Sequence, residues 1–297
     1  MTETNKNLEY DQLYFGADGT VSGVRDCTVY VVGNFKGGVG KTKTLTMLAY
    51  TSAVYKNRKT LVIDLDPQAN ASSILAKTGG IKIIDKNIYK GFIGGDLTSQ
   101  VTPIMENLDL ISSVTQFKNL PKLLMSKFPN NDEAQINYLN ELLKPLKEKY
   151  DAIYIDVPPT ISDFSDNAMM AADYCIIVLQ TQELSLDGAQ TYIDYMQYLI
   201  NTYNKQLQVL GIVPCMLRPG GRVDDKILND AKKSYGNNVL ETIVKYQERL
   251  KVYDVEGIHL KKNISKTPDQ WDLKAHTVFK NVLTELDQHQ QAFEKVE

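Results

Sequence analysis

The 297-residue sequence has no uninterrupted apolar run of about 18 residues, the length a helix needs to cross a bilayer. Its opening stretch, Met1 to Tyr10, is polar and lacks the apolar core of a secretory leader. Neither export nor membrane spanning is expected, and the chain is read as cytoplasmic. Cysteine is scarce. Cys27, Cys175 and Cys215 are odd in number, far apart and outside Cys-x-x-Cys spacing, which argues against a disulfide framework or a cysteine metal site. An excess of positive charge is also missing, since 33 Lys and Arg face 36 Asp and Glu for a formal net charge of -3. Any contact with nucleic acid must therefore rest on a local basic patch. Low-complexity tracts, fixed-period repeats and Pro/Gly/Ser linkers are absent as well. With 43% hydrophobic and 23% charged residues, the composition is that of a soluble globular protein with a sizeable core.

Residues 1–26 carry neither helical nor strand periodicity and end in the turn-like run Gly16-Ala17-Asp18-Gly19-Thr20, so they are read as a flexible N-terminal arm. Residues 27–297 are read as a single domain. From Thr28-Val29-Tyr30-Val31-Val32 onward, short β-branched runs alternate with longer stretches of helical period, the pattern of a mainly parallel sheet covered by helices on both faces. Further strands are expected at Thr60 to Asp64, Leu108 to Ser112, Ala152 to Asp156, Cys175 to Leu179 and Val209 to Val213. Helices are expected at Thr42 to Tyr55, Asn131 to Tyr150, Ser185 to Asn204, Val223 to Tyr235 and Thr277 to Lys295. This is a doubly wound α/β fold of about seven or eight strands, with its ligand at the strand C-terminal ends.

The first strand runs into Gly33-Asn34-Phe35-Lys36-Gly37-Gly38-Val39-Gly40-Lys41-Thr42, and a helical pattern follows at once. That order suits a phosphate-binding loop. Glycines let successive N–H groups turn toward phosphate oxygens, the helix start adds its positive end, Lys41 reaches the outer phosphates and the Thr42 hydroxyl ligates Mg²⁺. Such a loop also needs carboxylates from neighbouring strands and a group to position water. Leu61-Val62-Ile63-Asp64-Leu65-Asp66-Pro67-Gln68 and Ala152-Ile153-Tyr154-Ile155-Asp156-Val157-Pro158-Pro159 supply them at strand ends.

The strict Gly-x-x-x-x-Gly-Lys-Thr pattern fails at Phe35, and a second lysine, Lys36, stands beside it. The string Lys36-Gly37-Gly38-Val39-Gly40-Lys41-Thr42 resembles the deviant Walker motif of the P-loop NTPase superfamily that holds the ParA, MinD, nitrogenase iron protein and arsenical-pump ATPases. Thr42-Lys43-Thr44 departs from the triple threonine common there. The resemblance narrows to ParA-type DNA partition ATPases at Asp64-Leu65-Asp66-Pro67-Gln68-Ala69-Asn70, where Ala69 replaces a glycine, and at Asp156-Val157-Pro158-Pro159-Thr160. Similar strings continue through Gln180-Thr181-Gln182-Glu183-Leu184-Ser185-Leu186-Asp187-Gly188, and the match spans roughly residues 28–260.

The resemblance implies ATP and Mg²⁺. It implies nucleotide contacts from Lys36, Gly37, Gly38, Val39, Gly40, Lys41, Thr42 and Lys43, with adenine held near Met216 and Val244. It implies a metal shell of Thr42, Asp64 and Asp156, a water-orienting Asp66, and catalytic roles for Lys36 and Lys41. It also implies a homodimer closed around ATP, with Lys36 reaching across the two-fold interface. Relatives bind double-stranded DNA without sequence preference, are stimulated by a centromere-binding ParB-like protein and associate with the nucleoid. Their DNA-facing arginines point here to Arg222 and Arg249, with Arg218, Lys245 and Lys251 as rivals and Lys261, Lys262 and Lys266 as further basic candidates. Scattered cysteines disfavour an iron protein, the acidic end Leu283 to Glu297 disfavours a membrane-cycling helix, and the absence of a tyrosine beyond Tyr253 disfavours a tyrosine kinase. A MinD-like positioning ATPase for another cargo, or a P-loop small-molecule ligase, stand as the alternative readings.

Overall fold

The computed structural model describes residues 27–180, 183–203, 205–217, 222–260 and 267–294. The expected arm lies outside the described residues, as do Arg218, Lys261, Lys262, Lys266 and the side chains of Met216 and Arg222. Eight strands form one sheet: β1 (Thr28–Gly33), β2 (Thr60–Asp64), β3 (Thr102–Met105), β4 (Leu108–Ile111), β5 (Ala152–Asp156), β6 (Tyr174–Gln180), β7 (Gln208–Leu217) and β8 (Val244–Lys245). Their order is β3-β4-β2-β5-β1-β6-β7-β8, parallel throughout except for the antiparallel edge strand β3.

Alternation along the central strands sends side chains to two separate apolar layers. Val29, Val31, Ile153, Ile155 and Ile177 point to one. That face is covered by α3 (Ile88–Gly94), α4 (Leu120–Lys127), α5 (Asp132–Ile136), α6 (Tyr138–Lys147), α7 (Asp163–Ala171), α8 (Glu183–Tyr203) and α9 (Arg222–Tyr235). Tyr30, Val32, Val62, Tyr154 and Val178 point to the other. There α1 (Lys41–Tyr55), α2 (Asn70–Thr78), α10 (Glu248–Glu256) and α11 (Gln270–Glu294) complete the layer. Because both faces are covered, the strands read as near-continuous apolar runs.

The crossover from β1 uses α1 on one face, whereas the crossover from β5 uses α7 on the other. Since β1 and β5 are neighbours, a crevice opens between them at their C-terminal ends, the place where doubly wound sheets hold ligands. Asp64 and Asp156 stand directly opposite each other there, and Val32 pairs with Asp156 on the other side.

The single helix expected over Asn131 to Tyr150 is two helices, α5 and α6, broken at Asn137. Asn167 of α7 fills the break, accepting from Leu139 N–H at 3.0 Å and donating to Gln135 O at 3.1 Å. Pro145 lies inside the last turn of α6, which ends at Lys147.

Between β2 and α2 the chain turns through Ala69, whose φ of 56° lies in the left-handed region. The partition-ATPase pattern that this segment resembles has glycine there. A left-handed alanine costs about 1–2 kcal/mol, partly offset by the lower unfolded-state entropy of alanine. Ala69→Gly is therefore expected to stabilise the fold by about 0.5–1 kcal/mol. Thermal unfolding followed by circular dichroism should show a Tm raised by about 2 °C; an unchanged or lower Tm would mean that the turn is not strained.

Candidate phosphate-loop site

The loop Asn34 to Gly40 joins the C-terminal end of β1 to the first turn of α1. Gly38 and Gly40 carry φ of 76° and 93°, which side chains with a Cβ adopt only with strain. Val39, between them, is fully buried and anchors the loop in the α1 side of the core. The N-cap residues of α1 and α2, Gly40 and Ala69, supply no capping side chain, although the Asp64 carboxylate accepts Ser72 N–H in the first turn of α2 at 2.8 Å. At the start of α7 the Ser165 hydroxyl accepts Ser162 N–H at 3.0 Å. The starts of α1 and α2 border one cleft of about 530 Å³, with Gly38, Lys41, Thr42, Asp66 and Asn70 on its walls. Free N–H groups and helix dipoles thus converge where an anion would lie.

Asp66 lines this cleft, Asp156 is joined to it through the Thr42 hydroxyl, and Asp64 through Asp66 N–H. Asp64 and Asp156 are fully buried. The Asp64 carboxylate accepts from Ser72 N–H at 2.8 Å, from the Ser72 hydroxyl at 2.7 Å and from Asp66 N–H at 3.0 Å. Burial nevertheless pushes its carboxyl up to about 7, against the pull of the Ser72 hydrogen bonds. Asp156 is raised well above the usual carboxylate range by burial first and by the neighbouring Asp64 second. Its Oδ2 accepts from the Thr42 hydroxyl at 2.8 Å, while Oδ1 is buried with no hydrogen-bond partner among the described residues. Asp66 is half-buried, and its Oδ1 accepts from Gln68 N–H at 2.9 Å.

Lys41 is buried, and its Nζ donates to the Lys36 carbonyl at 3.1 Å. Burial lowers its pKa, opposed by Asp156 and Asp66. Lys36 is half-buried and does not line the cleft of its own chain. Lys43 pairs with Asp254 of α10 at 2.8 Å. Asp254 has no local sequence signature and went unnoticed in the sequence. Together with Gly40 and Lys43 it borders both the phosphate cleft and a second, mostly apolar pocket of about 440 Å³. Cys215, Val244, Leu250 and Phe279 line that pocket. Val244 thus lines the apolar pocket, and Met216 follows Cys215 on β7, its side chain outside the described residues.

The basic candidates are less uniform. Lys245 and Lys251 are exposed at the mouth of the apolar pocket, with Lys251 lying over the Tyr246 ring at 5.0 Å. Arg249 differs from the expectation. Its guanidinium binds Asp269 and the fully buried Asp272, leaving the side chain 17% exposed. The sequence showed an arginine but not the acidic residues, 20 and 23 positions later, that neutralise it. No helix among the described residues is long and apolar enough to cross a membrane, and no group of three or more His, Cys, Asp or Glu could hold a metal by itself.

A family model described as an AAA domain matches residues 27–209. An uncharacterized protein of Methanocaldococcus jannaschii is 32% identical over 215 residues, covering 70% of this chain and 81% of its own length. The chromosome partitioning protein ParA of Myxococcus xanthus is 29% identical over 226 residues, covering 75% of this chain and 76% of that protein. Among solved structures, a plasmid partition protein of Borrelia burgdorferi bound to AMPPNP superposes with a TM-score of 0.67 at 22% identity, covering 87% of this chain and 99% of that one. With that family match and those relatives, the chain belongs to the AAA domain family, as a ParA-type partition ATPase.

Proposed function

We propose that the protein is a cytoplasmic, nucleoid-associated ATPase that closes as a homodimer around ATP, binds double-stranded DNA without reading its sequence and is stimulated by a centromere-binding partner. The observation that carries this reading is one cleft at the starts of α1 and α2, lined by Lys41, Thr42 and Asp66 and joined by Asp156 through the Thr42 hydroxyl. The phosphates would lie on the N–H groups of Gly37 to Thr42, and the base in the apolar pocket beside Val244 and Met216. A magnesium ion fits the donors present, because the unpartnered Asp156 Oδ1 and the Thr42 hydroxyl are the hard oxygens such a cation takes. When bound, it would neutralise charge on the phosphate oxygens.

The side chains divide the remaining work. Lys41 would release the Lys36 carbonyl and place its charge on the outer phosphates. Asp64, already occupied by Ser72 and Asp66, is better suited to fixing Asp66 than to direct ligation, so its place in the metal shell is an outer one. Asp66 would then orient the attacking water. Lys41→Ala should abolish nucleotide binding or turnover, since such clamps contribute several kcal/mol to the transition state. Asp66→Ala should leave ATP bound and depress hydrolysis, because water positioning matters only on the way to the transition state. Filter binding and phosphate release separate the two, and normal turnover by Lys41→Ala would overturn the assignment.

DNA binding should be sequence-indifferent, enhanced by ATP and steeply weakened by salt through counterion release. Lys245 and Lys251, exposed beside the apolar pocket, are the side chains to replace, together with Arg222 and, where the chain runs past β7, Arg218. Arg249→Ala is a different case: removing the cation leaves Asp272 buried without it and should destabilise the fold by about 3 kcal/mol. Gel shifts of random duplex with and without ATP decide the matter. Failure to bind at low salt with ATP present would favour the reading in which the cargo is not DNA.

Lys36 would act on the partner's phosphates, stabilising charge that develops during transfer. Lys36→Ala and Lys41→Ala chains should each be inactive alone. Mixed in equal amounts, they should recover about a quarter of wild-type turnover, because half the dimers are mixed and each holds one complete site. Mixed dimers without activity would place the role of Lys36 in its own chain.

A further inference from the structure

Helix α8 touches the loop at four consecutive residues. A Cβ on Gly33 would fall 2.1 Å from the Tyr192 ring. The Asn34 side-chain amide donates to Val178 O on β6 at 3.0 Å and to Ser185 O in the first turn of α8 at 3.3 Å. The Phe35 ring centroid lies 4.8 Å from that of Tyr192 and 5.9 Å from that of Tyr195. A Cβ on Gly188 would lie 2.7 Å from Asn34 Oδ1 and 3.2 Å from both Cβ and N of Lys36. Ser185, Gly188, Tyr192 and Tyr195 recur at helical spacing and form one face of α8.

The contacts meet at Asn34. It is buried, and its Oδ1 accepts the Lys36 N–H at 2.8 Å. One amide therefore ties the end of β6, the start of α8 and the backbone of Lys36 together. Gly188 lets α8 approach closely enough to hold both. The cleft walls, however, begin at Gly38, so this brace holds the part of the loop that does not face the chain's own phosphates.

We propose that Asn34 and Gly188 are positioning residues for Lys36, fixing its backbone so that its ammonium is presented to nucleotide bound by a second copy of the chain. This rests on the reading of Lys36 as acting across the dimer. A brace that served the chain's own nucleotide would have to act on Gly37 to Thr42. The difference can be measured, because the two alternatives assign the defect to opposite halves of a composite site.

Asn34→Ala and Gly188→Ala would each be assayed alone and in equal mixture with Lys41→Ala, beside the Lys36→Ala and Lys41→Ala mixture as control. Alanine is favourable in a helix interior, so Gly188→Ala tests the contact without weakening α8 itself. Alone, both variants should bind an ATP analogue within about twofold of wild type and hydrolyse ATP at least about tenfold more slowly, the signature of an interaction made only in the transition state. Mixed with Lys41→Ala, each should recover to about the quarter reached by the control. Recovery occurs because the complete site combines Lys41 of the variant chain with a correctly held Lys36 from the other. Mixtures that stay inactive while the control recovers would overturn the proposal and assign Asn34 and Gly188 to their own loop. A control that fails to recover would remove the trans role of Lys36 and this proposal with it. Should Asn34→Ala not fold, the Gly188→Ala mixture decides.

Discussion

Two carboxylates placed side by side in a dry sheet interior are the constraint around which this site is organised. Asp64 and Asp156 face each other across β2 and β5 with no exposure to solvent. Burying an ionised carboxylate costs several kcal/mol unless its oxygens are satisfied, and two together repel. The chain resolves them differently. Asp64 gathers three protein donors, whereas Asp156 keeps one oxygen without a partner. The raised pKa values of both express the same imbalance, which Lys41 alone does not remove. A site in this condition is under-neutralised by its own residues and favours a cation brought with its ligand.

An ion pair connects the cleft to the apolar pocket. Lys43, where relatives commonly have threonine, is drawn away by Asp254, the residue shared by both pockets. That ion pair ties the first turn of α1 to α10, and α10 also carries Leu250 against the apolar pocket. A nucleotide running from one pocket to the other would therefore pass along a fixed junction between two helices. The departure at Lys43, unexplained by the loop alone, is accounted for by a carboxylate more than 200 residues later.

Much of this was legible in the sequence because it is local. Glycines at the turn, a lysine and threonine at the helix start and aspartates closing apolar runs are each written within about ten residues, and parallel strands bring their ends together without further instruction. Less legible were elements that depend on tertiary partners. The edge strand β3 and the two-residue β8 are too short for a period, and α2, α3, α4, α7 and α10 are helices of seven to nine residues without a strong stripe. The break at Asn137 is set by Asn167 from another helix, and the pairing of Arg249 by Asp269 and Asp272. Residues whose character depends on distant partners cannot be assigned by type.

Phe35 shows how one local departure acquires sense from a distant partner. Glycine at that position would leave the entry to the loop without an anchor, whereas the phenyl ring fills the space between Tyr192 and Tyr195. The Tyr195 hydroxyl donates to Asp166 at 2.8 Å, so the anchor extends from α8 to α7, the helix that follows the Asp156 strand. Packed rings and one hydrogen bond thus link the loop to α7. Such a chain of contacts has few soft joints, since buried aromatic pairs resist small displacements until they repack. A loop held in this way can keep Lys36 in place when its own cleft is filled. A loop free to breathe at residue 35 would lose that register first, before it lost the phosphate contacts beyond Gly37.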